Sequence, residues 1–406
     1  MAQQASFVYP YVHVRVDAPG SPLNNTLNKS SRFEYGLDPP ARPVTHRLGQ
    51  GHTLLLSGPV QFKLSEGRAE CFGAPIDPGT WITVEELQRE PILATEPATL
   101  ETRSGPGGSW KELLESTIPT SWTEAAHVLH RQQGVAVIVG DVDSGKSSLC
   151  TFLANMCARN GLKVGVIDAD VGQADIGPPT TISSSHASEP ILTLRDLRQE
   201  TAFFVGDTSP SSVPDKLTRL IVHLKEDIAR SSDLVLVNTD GWIGDSVALR
   251  FKDALLRETQ PDLVLGLSRD AEIDPVLNIV SSTTLKLPSS VYAKIRSKEE
   301  RKTAREAGYR RFLQGSKAMR ISQKNTTLRM FDRPEQQILH WDRKLNGFLA
   351  GLLDDHQELL DIGRIRELKD GYALVETKAT EEPRFLEIGN LILSARYEEI
   401  GYGTLH

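Results

Sequence analysis

Gly140-Asp141-Val142-Asp143-Ser144-Gly145-Lys146-Ser147 is the stretch that decides the fold of this chain. It matches the pattern GxxxxGK[ST], and it stands between an apolar run, Val135–Val139, and a helical pattern that ends at Gly161. Glycines at these positions let backbone N–H groups curl around a phosphate, and the start of a helix adds its positive end. The stretch therefore predicts a loop that binds a nucleoside triphosphate, in preference to a glycine-rich turn with no ligand.

The residues of this loop have expected roles in binding ATP and magnesium. Lys146 is predicted to reach the β- and γ-phosphates, and the hydroxyl of Ser147 is predicted to ligate Mg²⁺. The predicted ATP-binding residues are Gly140, Asp141, Val142, Asp143, Ser144, Gly145, Lys146, Ser147 and Ser148.

Apolar runs alternate with helical patterns on both sides of this loop. The runs are Val135–Val139, Val164–Ile167, Phe203–Val205, Leu234–Val237 and Leu263–Leu267. Such runs are typical of buried parallel strands in an α/β domain. They predict a central P-loop NTPase domain with a mostly parallel sheet, over residues 106–325 and with a lid near 294–313.

Shorter, alternating runs flank the central region. Residues 45–105 are punctuated by Gly and Pro, and residues 326–406 also alternate, which predicts small β-rich domains at both ends. Residues 1–44 mix Pro, Asn, Ser and Gly without a sustained apolar period, and they predict a poorly ordered extension.

The composition bounds the compartment. The chain has 406 residues, 39% hydrophobic and 24% charged, which is ordinary for a globular protein. No apolar run is long enough for a membrane span, so no span is expected, and the first residues lack the basic-then-apolar pattern, so no secretory signal is expected. Three cysteines outside any CxxC pair favour a reducing interior. The expected compartment is the cytoplasm in a prokaryote, and the nucleus or nucleolus in a eukaryote.

The charge distribution separates a basic segment from an acidic remainder. The net charge is −7, yet Lys286 to Lys324 contains twelve Lys or Arg and three Glu, a charge of +9. A basic segment on an acidic chain indicates a small, focused contact with a polyanion, although a solvated helix surface is the alternative interpretation.

Polar loops follow the apolar runs, where ligand sites of open α/β sheets lie. Asp168 and Asp170 are both placed to act beside Mg²⁺ or to accept a proton, and their spacing does not choose between them. Residues 206–210 and 238–242 form two further loops, and Trp242 is suited either to stacking on a base or to packing. Arg301 and Arg305 share a helix face that could close over the triphosphate.

These features in this order resemble the RNA and polynucleotide 5′-hydroxyl kinases. That family includes the kinase subunit of the pre-mRNA cleavage complex, the ribosomal-RNA-processing polynucleotide kinases, and archaeal and bacterial relatives. The resemblance spans roughly residues 45–400, and residues 204–210 favour the prokaryotic or ribosomal-RNA branch. It is carried by the DxGKS-type loop Asp143–Ser147, the DxGQ element Asp170–Gln173, the TxGW element Thr239–Trp242 and the RSKxxR element Arg296–Arg301.

The resemblance implies transfer of the ATP γ-phosphate to a 5′-hydroxyl of RNA or DNA, with Mg²⁺. It implies four catalytic residues, Lys146, Asp170, Arg296 and Arg301, and two metal ligands, Ser147 and Asp170. It also implies three nucleic-acid contacts, Gln173, Thr208 and Trp242, and it is consistent with RNA-processing protein partners.

The chain departs from many relatives at two positions of the loop, Asp141 in place of Pro and Ser144 in place of Val. An ATP-binding scaffold without catalysis is the main alternative, and a small-molecule kinase or NTPase switch is another. Retention of Lys146, Asp170 and both lid arginines favours the active kinase.

Overall fold

The computed structural model describes residues 42–338, 341, 345–369 and 371–403. The predicted extension over residues 1–44 lies outside the described residues as far as residue 41, and the first strand begins at Val44. Within the described residues, no helix is both long and apolar enough to cross a bilayer.

The first nine strands build two antiparallel sheets. Short alternating segments with Gly and Pro between them favour such strands. The strands are β1 Val44–Leu48, β2 Thr53–Ser57, β3 Val60–Glu66, β4 Ala69–Cys71, β5 Ala74–Pro75, β6 Ile82–Val84, β7 Arg89–Ala94, β8 Ala98–Ser104 and β9 Ser109–Leu113. One sheet has the order β1-β8-β3-β6, and the other has the order β5-β4-β7-β2-β9.

A seven-stranded sheet forms the centre, with the order β13-β12-β11-β14-β10-β15-β16. Its strands are β10 Gly134–Gly140, β11 Val164–Ala169, β12 Thr181–His186, β13 Thr201–Phe204, β14 Leu234–Thr239, β15 Leu263–Ser268 and β16 Thr283–Pro288. The helices are α1 Thr120–Gln132, α2 Lys146–Arg159, α3 Pro214–Ile228, α4 Ser246–Thr259, α5 Asp274–Leu277 and α6 Lys298–Leu313.

The central sheet is mostly parallel, as predicted. β10 pairs in parallel with β14 and β15, and the parallel pairing extends to β11 and β16. β12 was not predicted, and it runs antiparallel to both β11 and β13. Its sequence, Thr-Ile-Ser-Ser-Ser-His, holds one large apolar residue, so no apolar run marks it.

The C-terminal strands form one sheet, with the order β17-β22-β21-β20-β23-β18-β19 and with β24 paired to β23. They are β17 Lys317–Ser322, β18 Thr327–Met330, β19 Arg333–Gln337, β20 Phe348–Leu353, β21 Leu359–Lys369, β22 Tyr372–Thr377, β23 Phe385–Leu393 and β24 Glu399–Tyr402. β17 precedes residue 326 and still belongs to this sheet.

The two faces of the central sheet belong to different hydrophobic cores. Alternate residues of a strand point to opposite faces. In β10, Ala136 and Ile138 pack in the core that contains α1, α2 and the N-terminal strands. Val137 and Val139 pack in the core that contains α3, α4 and part of the C-terminal sheet. The carboxyl ends of the parallel strands therefore lie between the two hydrophobic cores.

Candidate functional site

The loop between β10 and α2 has the close packing that its glycines predict. A Cβ at Gly140 would lie 2.5 Å from the Leu267 carbonyl oxygen, which is shorter than any ordinary contact. Gly145 has a φ of 98°, which only glycine adopts without strain. α2 begins directly afterwards at Lys146, so the loop presents a helix N-terminus to any bound anion.

Lys146 and Ser147 lie at the base of this loop. The Lys146 ammonium is buried and donates to the carbonyl oxygens of Gly140, at 3.0 Å, and Asp141, at 2.8 Å. Burial lowers its pKa, and the nearby charge of Asp170 opposes that shift. The Ser147 hydroxyl accepts a hydrogen bond from Asn238 Nδ2 at 3.3 Å. Both side chains are held in place before any ligand arrives.

A cavity of about 150 Å³, part of it open to solvent, extends from the loop. Predicted site residues that line it are Asp143, Gly145, Lys146, Ser147, Ser148, Asp170, Gln173 and Arg296. The lining also includes apolar side chains, those of Leu55, Phe72, Ile118, Trp122 and Leu192. Such a mixed lining can accept both phosphates and a flat apolar group.

Four predicted ATP-binding residues of the loop do not line the cavity, namely Gly140, Asp141, Val142 and Ser144. The Asp141 carboxylate accepts from the Val142 N–H at 2.7 Å. The Ser144 side chain is fully buried, and its hydroxyl has no partner among the described residues. These four residues therefore contribute to the loop conformation and do not line the cavity.

The two candidate acids have different surroundings. Asp170 lines the cavity, and its carboxylate accepts from the N–H groups of Gly172, at 3.1 Å, and Gln173, at 3.0 Å. Burial raises its pKa, and the positive charge of Lys146 offsets part of the shift. A half-buried carboxylate with a raised pKa beside a cation is suited to accepting a proton.

Asp168 lies outside the cavity lining and organises the chain behind it. Its carboxylate accepts from the N–H groups of Asp175, at 2.6 Å, and Ile176, at 3.1 Å, and from Asn238 Nδ2 at 3.1 Å. Burial, with the charge of Asp175, raises its pKa to about 7. These contacts favour a structural role for Asp168, so Asp170 stays the predicted catalytic acid.

The loops that carry the predicted nucleic-acid contacts adjoin one another. A Cβ at Gly172 would lie 2.9 Å from the Thr208 carbonyl oxygen, and one at Gly241 would lie 2.6 Å from the Val142 nitrogen. Gln173 lines the cavity, whereas Thr208 and Trp242 do not. The four loops at the strand ends therefore lie close together. Of the three predicted nucleic-acid contacts, only Gln173 lines the cavity.

Thr208 and Trp242 have protein partners of their own. The Thr208 hydroxyl lies 3.1 Å from the Tyr402 hydroxyl. The Trp242 indole stacks on Phe251, with ring centroids 5.9 Å apart, and donates to Asp245 at 2.8 Å. Trp242 is half-buried, and its role as a base platform stays a prediction.

The predicted lid is α6, which begins after a capping box formed by Ser297 and Glu300. Arg296 and Arg301 both form ion pairs with Asp143 of the phosphate loop, at 3.3 and 3.2 Å. Arg305 lines the cavity and makes two hydrogen bonds to the Glu399 carboxylate, at 2.6 and 2.8 Å. The start of α6 therefore lies over the phosphate loop.

Several polar side chains of the site were not predicted from the sequence, and three of them make or accompany its main contacts. Asn238 bridges Ser147 and Asp168, Arg195 lines the cavity and pairs with Asp175 at 2.9 Å, and Glu90 lines the cavity from β7. Asn238 directly follows an apolar run, and this was the available signal. Arg195 and Glu90 come from segments without a motif, so only the tertiary structure brings them to the site.

Glu90 gives the site an expected pH dependence of stability. Burial raises the pKa of its carboxyl to about 8 from the usual 4.5. Its stabilising contribution is therefore complete below about pH 4.5 and is lost as the pH rises through 8. In Glu90→Gln, thermal unfolding should shift less between pH 6 and pH 9 than in the unchanged protein. Glu96→Gln, at an exposed position, is the control, and equal shifts in all three proteins would contradict the prediction.

Known proteins share this loop and its surroundings. Residues 140–315 match the family model described as mRNA cleavage and polyadenylation factor CLP1 P-loop. A polyribonucleotide 5′-hydroxyl-kinase of Pyrococcus horikoshii is 34% identical over 213 residues, which are 52% of this chain and 58% of that protein. One of Pyrococcus furiosus is 33% identical over 192 residues, 47% of this chain and 54% of that protein. The chain thus spans little more than half the length of these two relatives.

Longer matches agree with them. The polyribonucleotide 5′-hydroxyl-kinase Clp1 of Xenopus tropicalis is 26% identical over 318 residues, 73% of this chain and 70% of that protein. A chain in the solved structure of the wild-type Clp1p–Pcf11p (454–563) complex has a TM-score of 0.70 at 12% identity, over 86% of this chain and 98% of that chain. The predicted α/β fold class and the predicted resemblance are confirmed. Over residues 140–315, this chain is similar to the CLP1 P-loop family.

Proposed function

We propose that the protein is a polynucleotide 5′-hydroxyl kinase, which transfers the γ-phosphate of ATP to the 5′-hydroxyl of RNA or DNA. One observation carries the proposal: Lys146, Ser147, Asp170 and Arg296 line a single cavity. Phosphoryl transfer needs positioned cations and one proton acceptor, and this set supplies both. The names of the archaeal relatives support RNA as the acceptor.

In the proposed reaction, the 5′-hydroxyl oxygen forms a bond to the γ-phosphorus of ATP. The bond from that phosphorus to the β–γ bridging oxygen breaks, and ADP leaves with the bridging oxygen. The hydroxyl proton passes to Asp170, whose raised pKa favours proton acceptance. Lys146 and the arginines near Asp143 stabilise the negative charge that the phosphoryl oxygens carry during transfer.

We propose Ser147 and Asp170 as the residues that hold Mg²⁺. Among the described residues, no group of three or more His, Cys, Asp or Glu is arranged to bind a metal by itself. Mg²⁺ fits this donor set, because it commonly binds one or two protein oxygens together with substrate phosphates and water. When bound, the ion neutralises charge on the β- and γ-phosphates.

The apolar part of the cavity lining is the proposed place of the adenine base. Phe72 lies in the turn between β4 and β5, Trp122 lies in α1, and both line the cavity. Gln173, Thr208 and Trp242 are the proposed contacts to the acceptor strand. RNA-processing proteins are the proposed partners, and the proposed compartment is the cytoplasm in a prokaryote or the nucleus or nucleolus in a eukaryote.

The domain organisation also stays a proposal, with the sheets as its support. Residues 45–105, 106–325 and 326–406 are the proposed domains. β9 ends at Leu113 and β17 begins at Lys317, which favours moving the first boundary towards the start of α1 and the second towards the end of α6.

Labelled transfer tests the function directly. The protein is incubated with γ-labelled ATP, Mg²⁺ and matched RNA and DNA oligonucleotides, each with a 5′-hydroxyl or a 5′-phosphate. We expect label at the 5′ end of the hydroxyl oligonucleotides alone. ATP binding without transfer to any acceptor would overturn the proposal in favour of a scaffold, and ATP hydrolysis without transfer would favour an NTPase switch.

A further inference from the structure

We propose that Asp143 is a positioning residue, which holds Arg296 and Arg301 over the phosphate loop before ATP binds. The inference rests on the proposed kinase reaction, and it assigns a role to a loop carboxylate that touches the lid. Asp143 acts at the start of α6, whose later turns are held separately by the buried side chains of Tyr309 and Leu313.

The contacts between Asp143 and the lid are dense. Asp143 Oδ2 accepts from the Arg296 backbone N–H at 2.9 Å and from Arg301 Nη1 at 3.2 Å, and Oδ1 accepts from Arg296 Nη1 at 3.3 Å. The Asp143 side chain is only 3% exposed. A carboxylate buried to this degree is retained only with charged partners, and here both partners come from the lid.

Asp143 is itself held in one place by the loop. Its φ of 56° lies in the left-handed region, and its carbonyl oxygen accepts a hydrogen bond from Arg269. The loop conformation therefore fixes the direction of the carboxylate. Arg296 is also anchored to the N-terminal layer, because its Nη2 donates to the Leu87 carbonyl oxygen at 3.3 Å.

The arginines keep unused donors after binding Asp143. Arg296 Nε is buried and has no hydrogen-bond partner among the described residues. Arg301 contacts Asp143 and the Arg296 carbonyl oxygen through Nη1, and within the described part of the chain its Nε and Nη2 donate to nothing. An unpartnered buried N–H group calls for an acceptor, and a ligand oxygen or a water can supply it. Phosphoryl oxygens have the matching chemistry, so Asp143 can position the arginines while they bind phosphate.

Preorganised cations lower a barrier because no reorganisation is needed at the moment of reaction. Loss of the Asp143 charge should therefore slow transfer more than it weakens ATP binding. Asn is the informative substitution, because Asn also tolerates the left-handed backbone and keeps the size of the side chain. The matched control is Asp227→Asn. Asp227 lies near the end of α3, and its carboxylate forms an exposed ion pair with Arg230.

The first measurement follows the lid without using activity. Amide hydrogen exchange over residues 296–305 should accelerate by about tenfold or more in ligand-free Asp143→Asn, because the contacts that hold the start of α6 are weakened. Asp227→Asn should exchange like the unchanged protein. Exchange in Asp143→Asn that matches the unchanged protein would overturn the inference, even if the protein were no kinase.

The second measurement separates positioning from nucleotide contact. In Asp143→Asn, kcat should fall by about 10- to 100-fold while KM for ATP changes by less than about threefold. In a background with Arg296→Gln and Arg301→Gln, adding Asp143→Asn should change neither the exchange rate nor kcat further. A large rise in KM with unchanged kcat, or effects that add fully in that background, would show that Asp143 acts by another route.

Discussion

Lys146→Ala should reduce phosphoryl transfer by more than about 10³-fold, because it removes the buried ammonium of the phosphate loop, which is expected to stabilise the transferred phosphate. The ammonium is held at the loop by two carbonyl oxygens, so the substitution also removes these two hydrogen bonds. The measurement is the initial rate of label transfer to a 5′-hydroxyl oligonucleotide at saturating ATP.

Two controls make this result interpretable. Thermal unfolding of Lys146→Ala shows whether the loop and α2 stay folded. Lys216→Ala, which removes a different largely buried lysine paired with Glu387 at the C-terminal sheet, controls for the loss of a buried cation. Transfer by Lys146→Ala within tenfold of the unchanged protein would mean that the Lys146 ammonium is not part of the reaction.

Asp170→Asn should have an effect of similar size. Of the two candidate acids, Asp168 and Asp170, only Asp170 lines the cavity. The loop should stay folded, since Asn can still accept from the N–H groups of Gly172 and Gln173, while both the rate and the affinity for Mg²⁺ should fall. Transfer by the unchanged protein should also fall as the pH drops through the raised pKa of Asp170, because the protonated acid cannot accept a proton.

Asp168→Asn is the matched comparison, because it makes the same chemical change two positions away in the sequence. It should lower stability by about 1–3 kcal/mol, because an amide cannot accept from all the donors around Asp168. The folded protein should retain much of its activity. Loss of transfer in Asp168→Asn at unchanged stability, together with an active Asp170→Asn, would show that the catalytic acid is Asp168.

The phosphate loop and the carboxyl-end loops were predictable because local sequence determines them. An apolar run, a turn and an amphipathic helix are each short-range patterns, and they led correctly to β10, the loop and α2. β12 was not predicted because its sequence, Thr-Ile-Ser-Ser-Ser-His, contains no apolar run. The strand is nevertheless buried, and its polar side chains form hydrogen bonds with nearby groups.

The remainder of the site depends on contacts between distant segments. Leu55, Phe72 and Trp122 look like ordinary core residues in the sequence, and only the packing of the N-terminal strands against α1 and α2 brings them to one cavity. The ion pairs of Asp143 likewise join residues more than 150 positions apart. Pattern and spacing carry no information about such pairs.

The last strand, β24, limits how segments of this protein can be exchanged with those of its relatives. Glu399 binds Arg305 of α6, and Tyr402 meets Thr208 of a strand-end loop. A chimera that took its C-terminal sheet from another protein would need to supply a carboxylate and a hydroxyl at these two places. Where the other protein lacks either group, the C-terminal sheet would have to be transplanted together with α6 and the strand-end loop that carries Thr208.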